Sequence, residues 1–163
     1  MAERRREKTV RDLIPSNVQV RLLKASTKEE AITELLNVLV IDGVLDLSRE
    51  ASVRDSLLQR EQVASTGIGN GMAIPHAKNK FAERLGVVVG ISDQGLDFGA
   101  HDDQYAHVIV LWICPPKETQ AHLALMRALA SVAQEEKVMW RLAGCKDKRT
   151  FLGILEEVPA EKK

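Results

Sequence analysis

The chain has 163 residues, with 23 Lys and Arg against 23 Asp and Glu, 45% apolar residues and 4% aromatic ones. This is the make-up of one soluble globular domain, long enough to bury about two-thirds of its unfolded surface without a disulfide or metal staple. A formal net charge of zero argues against a nucleic-acid binder, whose footprint is a basic excess that neutralises phosphates, but it leaves small local charged sites open.

The opening MAERRREKT is basic like the start of a signal peptide, yet no apolar stretch follows, because Arg11 and Asp12 interrupt the next segment. Residues 1–8 are therefore expected to form a frayed basic arm, residues 9–158 one domain and residues 159–163 a tail. TVRDLIPSN reads as a short helical turn stopped by Pro15, and residues 18–23 alternate apolar and polar as a first strand does. Ser26-Thr27-Lys28-Glu29 matches a capping box, in which the Ser hydroxyl and the Glu carboxylate satisfy free backbone N–H groups. It opens a helix through AITELLNVLVIDG that Gly43 closes, with Ala31, Leu35, Leu36 and Leu39 as its buried stripe. A second helix, over residues 48–59, carries Val53, Leu57 and Leu58.

At STGIGNGMAIPH the glycines Gly67, Gly69 and Gly71 preclude a regular helix, and a loop feeding a short apolar strand is expected. Residues 85–91 and 105–114 read as interior strands rich in Val and Ile, the second ended by Pro115-Pro116. Even the apolar run from Ala106 to Cys114 is far short of the ~20 residues that span a bilayer, so no membrane insertion is expected. A helix over residues 119–133 follows, with Leu125, Met126, Leu129 and Val132 on one face, and shorter helical segments cover 138–142 and 150–156. Cys114 and Cys145, the only cysteines, lack a C-x-x-C spacing and suit a reducing cytoplasm.

Special residue types converge between Arg60 and His76. The glycines are not a P-loop, for no Gly-Lys-Ser/Thr follows, and Met72 stands where the dinucleotide fingerprint needs its third Gly. They could bring backbone N–H groups to an anion, beside the hydroxyls of Ser65 and Thr66, or form a tight loop packed under a sheet. His76 follows Pro75, whose ring fixes the backbone before it, and a neutral imidazole there can take up a phosphoryl group, or be a hydrogen-bonded structural residue. His122 falls on the buried stripe of its helix and needs a partner, either a backbone carbonyl or an anionic site near the helix N-terminus. His101, in a polar loop with Asp102 and Asp103, and His107, on an apolar strand, look weaker, and no pair has H-x-x-x-H or H-x-H metal spacing.

The run STGIGNGMAIPH, preceded by Arg60-Glu61 and followed by His122 in AHLALMRALA, resembles the fructose/mannitol-type enzyme IIA domains of the bacterial phosphoenolpyruvate-dependent phosphotransferase system. It looks most like their free-standing nitrogen-regulatory branch. The resemblance implies an α/β fold, a small mixed β-sheet flanked by helices on both faces, with the site in a shallow depression at one end. It also implies that His76 accepts a phosphoryl group from the phosphohistidine of HPr or its nitrogen-system homologue, without metal, nucleotide or other cofactor. The family's second histidine falls on His122 and its arginine on Arg60, both steadying the phosphoryl group. Donors from Ser65, Thr66 and Gly67 fit the same chemistry, which needs a nucleophile, in-line positioning and partners for the equatorial oxygens. Ala77 after the histidine, Asp102-Asp103 and the arm Arg4-Arg5-Arg6 depart from the family's pattern, outside the transfer chemistry.

A single domain without fused modules favours the nitrogen or metabolic regulatory role. The alternative is a sugar-transport subunit passing its phosphoryl group to a IIB domain. A non-phosphorylated interaction module that kept the fold is the reading from another class, and His76, His122 and Arg60 together count against it. A metal-dependent hydrolase is the weakest of the candidates.

Overall fold

A computed structural model describes residues 5–161. Six strands, β1 (Gln19–Leu22), β2 (Gly67–Gly69), β3 (Met72–Ala73), β4 (His76–Lys78), β5 (Gly86–Leu96) and β6 (Ala106–Cys114), form one sheet in the order β1-β5-β6-β3-β2, with β4 also paired to β6. β5 runs antiparallel to β6, whereas β1 on β5, and β3 and β4 on β6, are parallel. The α-helices among the described residues are α1 (Lys28–Ile41), α2 (Glu50–Val63), α3 (Thr119–Ala133), α4 (Glu136–Ala143) and α5 (Lys148–Leu155).

The near-continuous apolar character of β5 and β6 has a direct cause: both faces of the sheet are covered, so both sets of alternating side chains are buried. Val87, Val89, Val108, Val110 and Trp112 pack against α3, α4 and α5 on one face. Val88, Ile109, Leu111 and Ile113 pack against α1 and α2 on the other. The expected mixed sheet with helices on both faces is the fold observed. No helix among the described residues is long and apolar enough to cross a membrane.

Local departures from the expected elements have physical reasons. The α1 cap lies one residue later than expected: Thr27 accepts from the Glu30 N–H at 3.2 Å, and the Glu30 carboxylate receives the Ser26 N–H at 2.9 Å. Both registers fit the sequence pattern. The observed one goes with Glu34, whose carboxylate takes the N–H groups of Lys24 and Ala25 and folds the incoming chain onto the helix. At the other end the expected stop is in place. Gly43, at φ +75°, lets Val44 N–H reach the Leu39 carbonyl and its own N–H reach Val40, so the last carbonyls are satisfied.

α2 starts after a 3-10 turn at Leu47–Arg49 capped by Asp46, and it runs on to Val63, which puts Arg60 in its last turn. β5 extends to Leu96 through Ser92, Asp93, Gln94 and Gly95, with an irregular register against β6 that tolerates these polar residues. The glycine-rich segment holds the strand β2 in place of a plain loop: Gly69, Asn70 and Gly71 all have positive φ and turn β2 back onto β3. Asp102 clasps that turn by accepting the Asn70 N–H at 2.8 Å. Arg4 of the basic arm lies outside the described residues, while Lys8 and Val10 are already tied to the C-terminal stretch through Ala160 and Val158.

If Thr27 is the cap, Thr27→Ala costs about 1 kcal/mol of stability and lowers the melting midpoint by about 2–4 °C, with Ser26→Ala costing less. Thermal melts followed by circular dichroism check the ordering, and a larger loss from Ser26→Ala would contradict the assigned register.

Candidate active site

Three elements converge at one end of the sheet. Between β3 and β4 the chain passes through Ile74 and Pro75, with the Ile74 N–H given to the Thr66 carbonyl and the Trp112 N–H taken by the Pro75 carbonyl. β4 then resumes against β6 with His76 opposite Trp112. Cross-strand partners in register present their side chains on the same face, and the His76 ring stacks on the Trp112 ring, with centroids 4.7 Å apart and planes 11° from parallel. α3 packs on that same face and delivers His122, whose ring centroid is 5.2 Å from that of His76.

His76, His122, Arg60, Lys78, Ala77 and Ser56 line a shallow depression of about 260 Å³. Arg60 reaches it from the last turn of α2, with one guanidinium nitrogen donating to the Ala64 carbonyl at 2.9 Å. Lys78 reaches it from β4, its ammonium donating to the Thr119 hydroxyl at 3.2 Å. Two cations from different elements therefore flank two imidazoles.

The hydrogen bonds decide which ring nitrogen does what. His76 Nδ1 lies 2.6 Å from the Ile74 carbonyl oxygen, which can only accept, so Nδ1 carries the proton and Nε2 keeps a lone pair. His122 is 6% exposed. Its partner is the Trp112 indole, which donates from Nε1 to His122 Nδ1 at 2.9 Å, in place of the backbone carbonyl considered from the sequence. Burial holds the pKa of His76 below its usual value; the Ile74 carbonyl opposes this, Arg60 adds to it and Glu61 opposes it. Burial also lowers the pKa of His122, with His76 and Lys78 acting in the same direction. Both rings are thus neutral near pH 7, with a bare nitrogen at Nε2 of His76 and at Nδ1 of His122.

His76, His122 and Arg60, expected together from the sequence, are brought together. The Ser65–Thr66–Gly67 donors are used inside the protein. The Thr66 hydroxyl and N–H both go to the Glu61 carboxylate, at 2.5 and 3.1 Å. The Ser65 hydroxyl donates to the Phe98 carbonyl, and the Gly67 N–H is taken by Ser65 Oγ at 3.0 Å. These residues hold the segment between Arg60 and His76 in shape. Glu61, 4% exposed, is the anchor, and Lys28 approaches it at 3.9 Å.

His107 donates from Nδ1 to the Ser92 carbonyl and His101 is exposed in its loop, and neither lines the depression. Among the described residues, no group of three or more His, Cys, Asp or Glu side chains is placed to hold a metal ion. Two contributors escaped the sequence reading. Trp112 sits inside a strand that reads as core, and the β4–β6 register puts it at the site; Lys78, two residues past the histidine on β4, shares its face by strand alternation, which becomes visible once β4 is known to be a strand.

Comparison with known proteins agrees with this geometry. Residues 13–158 match the family described as phosphoenolpyruvate-dependent sugar phosphotransferase system, EIIA 2. The fructose-specific EIIA component of the phosphotransferase system of Haloferax volcanii is 37% identical over 82% of this chain and 85% of its own length. A nitrogen regulatory protein of Bradyrhizobium diazoefficiens is 26% identical over 93% of this chain and 97% of its own. The crystal structure of the nitrogen regulatory protein IIA-Ntr from Neisseria meningitidis superposes with a TM-score of 0.77 at 23% identity, over 90% of this chain and 98% of that one, and shows the same fold.

The lowered pKa values have a consequence for stability. With both histidines held neutral in the folded state, the unfolded chain binds more protons once the pH falls below the ordinary histidine value of about 6.5. Stability contributed by these sites is therefore present above that pH and is lost as the pH falls below about 6.5 through the lowered folded-state values. The melting midpoint is expected to drop across this window, and to drop less in His76→Gln/His122→Gln. An equal slope in the double variant would assign the effect to other groups.

Proposed function

From membership of the EIIA 2 family of the phosphoenolpyruvate-dependent sugar phosphotransferase system, to which the chain belongs, we propose that this protein is a cytoplasmic phosphoryl carrier that accepts a phosphoryl group on Nε2 of His76. The observation that carries the assignment is the His76 Nδ1–H bond to the Ile74 carbonyl, which leaves the Nε2 lone pair for a ring lining the depression. The donor is the phosphohistidine of HPr or its nitrogen-system homologue.

In the transfer, the His76 Nε2 lone pair forms the new N–P bond while the N–P bond of the donor breaks, its electron pair returning to the donor imidazole. The Nδ1 proton stays in place on the Ile74 carbonyl, so no general base is required. Charge on the equatorial oxygens is met by Arg60 and Lys78 at the rim and by the Nε2–H of His122, which is positioning and electrostatics with little further covalent chemistry. The reaction as written needs no metal or other cofactor.

The outlet of the phosphoryl group is the finer question. A nitrogen or metabolic regulatory role is supported by the nitrogen regulatory relative that matches along nearly its whole length. In that role, up to two negative charges gained at His76 change which partner can dock on a surface of balanced charge. A sugar-transport role, handing the group to a IIB domain, is supported by the 37% identity to a fructose-specific component of similar extent. That relative also shows that a domain without fused modules does not by itself favour regulation.

Incubation with phosphoenolpyruvate, enzyme I and the carrier should raise the intact mass by about 80 Da, read at neutral or basic pH because phosphohistidine is acid-labile. His76→Ala should abolish the gain, and Arg60→Ala should slow it by about 100-fold. A mass gain that survives His76→Ala assigns the wrong nucleophile, and no gain with any carrier favours the interaction module. Loss of the label to an added IIB domain separates transport from regulation.

A further inference from the structure

Trp112 is fully buried on β6 and touches both histidines at once. Its indole N–H is a donor without acceptor capacity, so the 2.9 Å bond to His122 exists only while His122 Nδ1 keeps its lone pair. A neutral His122 must then carry its proton on Nε2. Protonating Nδ1 would set two donors against each other and leave a buried indole N–H without a partner, which is costly in an apolar surround. Burial, with His76 and Lys78 on β4 acting in the same direction, also lowers the pKa of His122, so the neutral form that the indole requires is the one its surroundings favour.

The Ile74 carbonyl imposes the opposite choice on His76, a proton on Nδ1. Two histidines 5.2 Å apart are thus held in opposite tautomers, and a single tryptophan is stacked on one and bonded to the other. We propose that Trp112 is a positioning residue for phosphoryl transfer: its indole N–H locks His122 as an Nε2–H donor towards the phosphoryl group, while its ring face holds the His76 imidazole in plane. The role in transfer rests on the phosphocarrier reading above, whereas the tautomer lock is a property of the unphosphorylated protein.

Long-range proton–nitrogen correlation on protein labelled with nitrogen-15 in histidine reads the tautomers directly, before any phosphoryl donor is added. His122 should show a bare Nδ1 and a protonated Nε2, and His76 the reverse. Trp112→Phe keeps a ring against His76 and removes the donor; His122 should then populate both tautomers. The transfer rate should fall about 10-fold at saturating carrier, with KM for the carrier little changed. In a His122→Ala background the same substitution should cost nothing further, since the interaction it removes is already gone.

A protonated His122 Nδ1 in the wild type overturns the lock, and this spectrum decides even if the Phe variant is poorly folded. Losses that multiply between Trp112→Phe and His122→Ala assign Trp112 a packing role alone. Wild-type protein that shows the expected tautomers but takes up no phosphoryl group overturns the carrier reading and the transfer role with it, and leaves the lock standing.

Discussion

The pairing of β4 with β6, which sets His76 opposite Trp112, is the constraint on which the site depends. β6 is buried from Val108 to Cys114, so a slip of one residue would drive every alternate side chain into the wrong core, and the register is strongly specified. Once the register is set, the face shared by His76 and Trp112 is the face that α3 covers, and His122 arrives on it as part of the same helix stripe that buries Leu125 and Leu129. His76, His122 and the ring that links them are thus placed by core packing.

Burying polar groups at such a junction demands that each find a partner, and the partners found here are selective. A carbonyl can only accept and an indole can only donate, so Ile74 and Trp112 dictate opposite proton positions on two chemically identical rings. The apolar surround that lowers both pKa values also keeps the rings neutral at working pH. Positive charge is left to Arg60 and Lys78, which are exposed at the rim of the depression. Such a division keeps the buried part uncharged and the charged part at the rim, where desolvation is cheap.

The segment between α2 and β4 makes this arrangement durable. Glu61 is the first buried residue after Arg60, and it collects the hydroxyl and N–H of Thr66. Thr66 in turn accepts the Ile74 N–H through its carbonyl. Arg60 and His76, sixteen positions apart, are connected by this short chain of hydrogen bonds. The glycines serve the same end, turning β2 back onto β3 so that the strand leading to His76 enters beside β6.

Much of this was legible in the amino-acid order. The apolar periods of α1 and α3, the stop at Gly43 and the Val- and Ile-rich interior strands follow from local rules of burial and backbone conformation. His76, His122 and Arg60 stood out through a long motif. Legibility failed where two local solutions were equally good or where the answer lay across the sheet. Ser26 and Thr27 both satisfy a capping pattern, and contacts of Glu30 and Glu34 with the incoming chain accompany the register adopted. Ser65, Thr66 and Gly67 carry donors that suit an anion, and only the folded loop shows them occupied, by the Glu61 carboxylate, by Ser65 Oγ and by the distant Phe98 carbonyl. Trp112 reads as core and is core, yet the residue beside it in the sheet makes it part of the site. The sequence by itself therefore determined the main helices and the interior strands, since these depend on residues near one another in the chain, and it singled out His76, His122 and Arg60 as candidates. The tertiary structure alone decided which nitrogen of His122 holds the proton, because its partner Trp112 lies on β6 and meets α3 only in the folded sheet, whereas the partner of His76 is the Ile74 carbonyl just upstream in the chain.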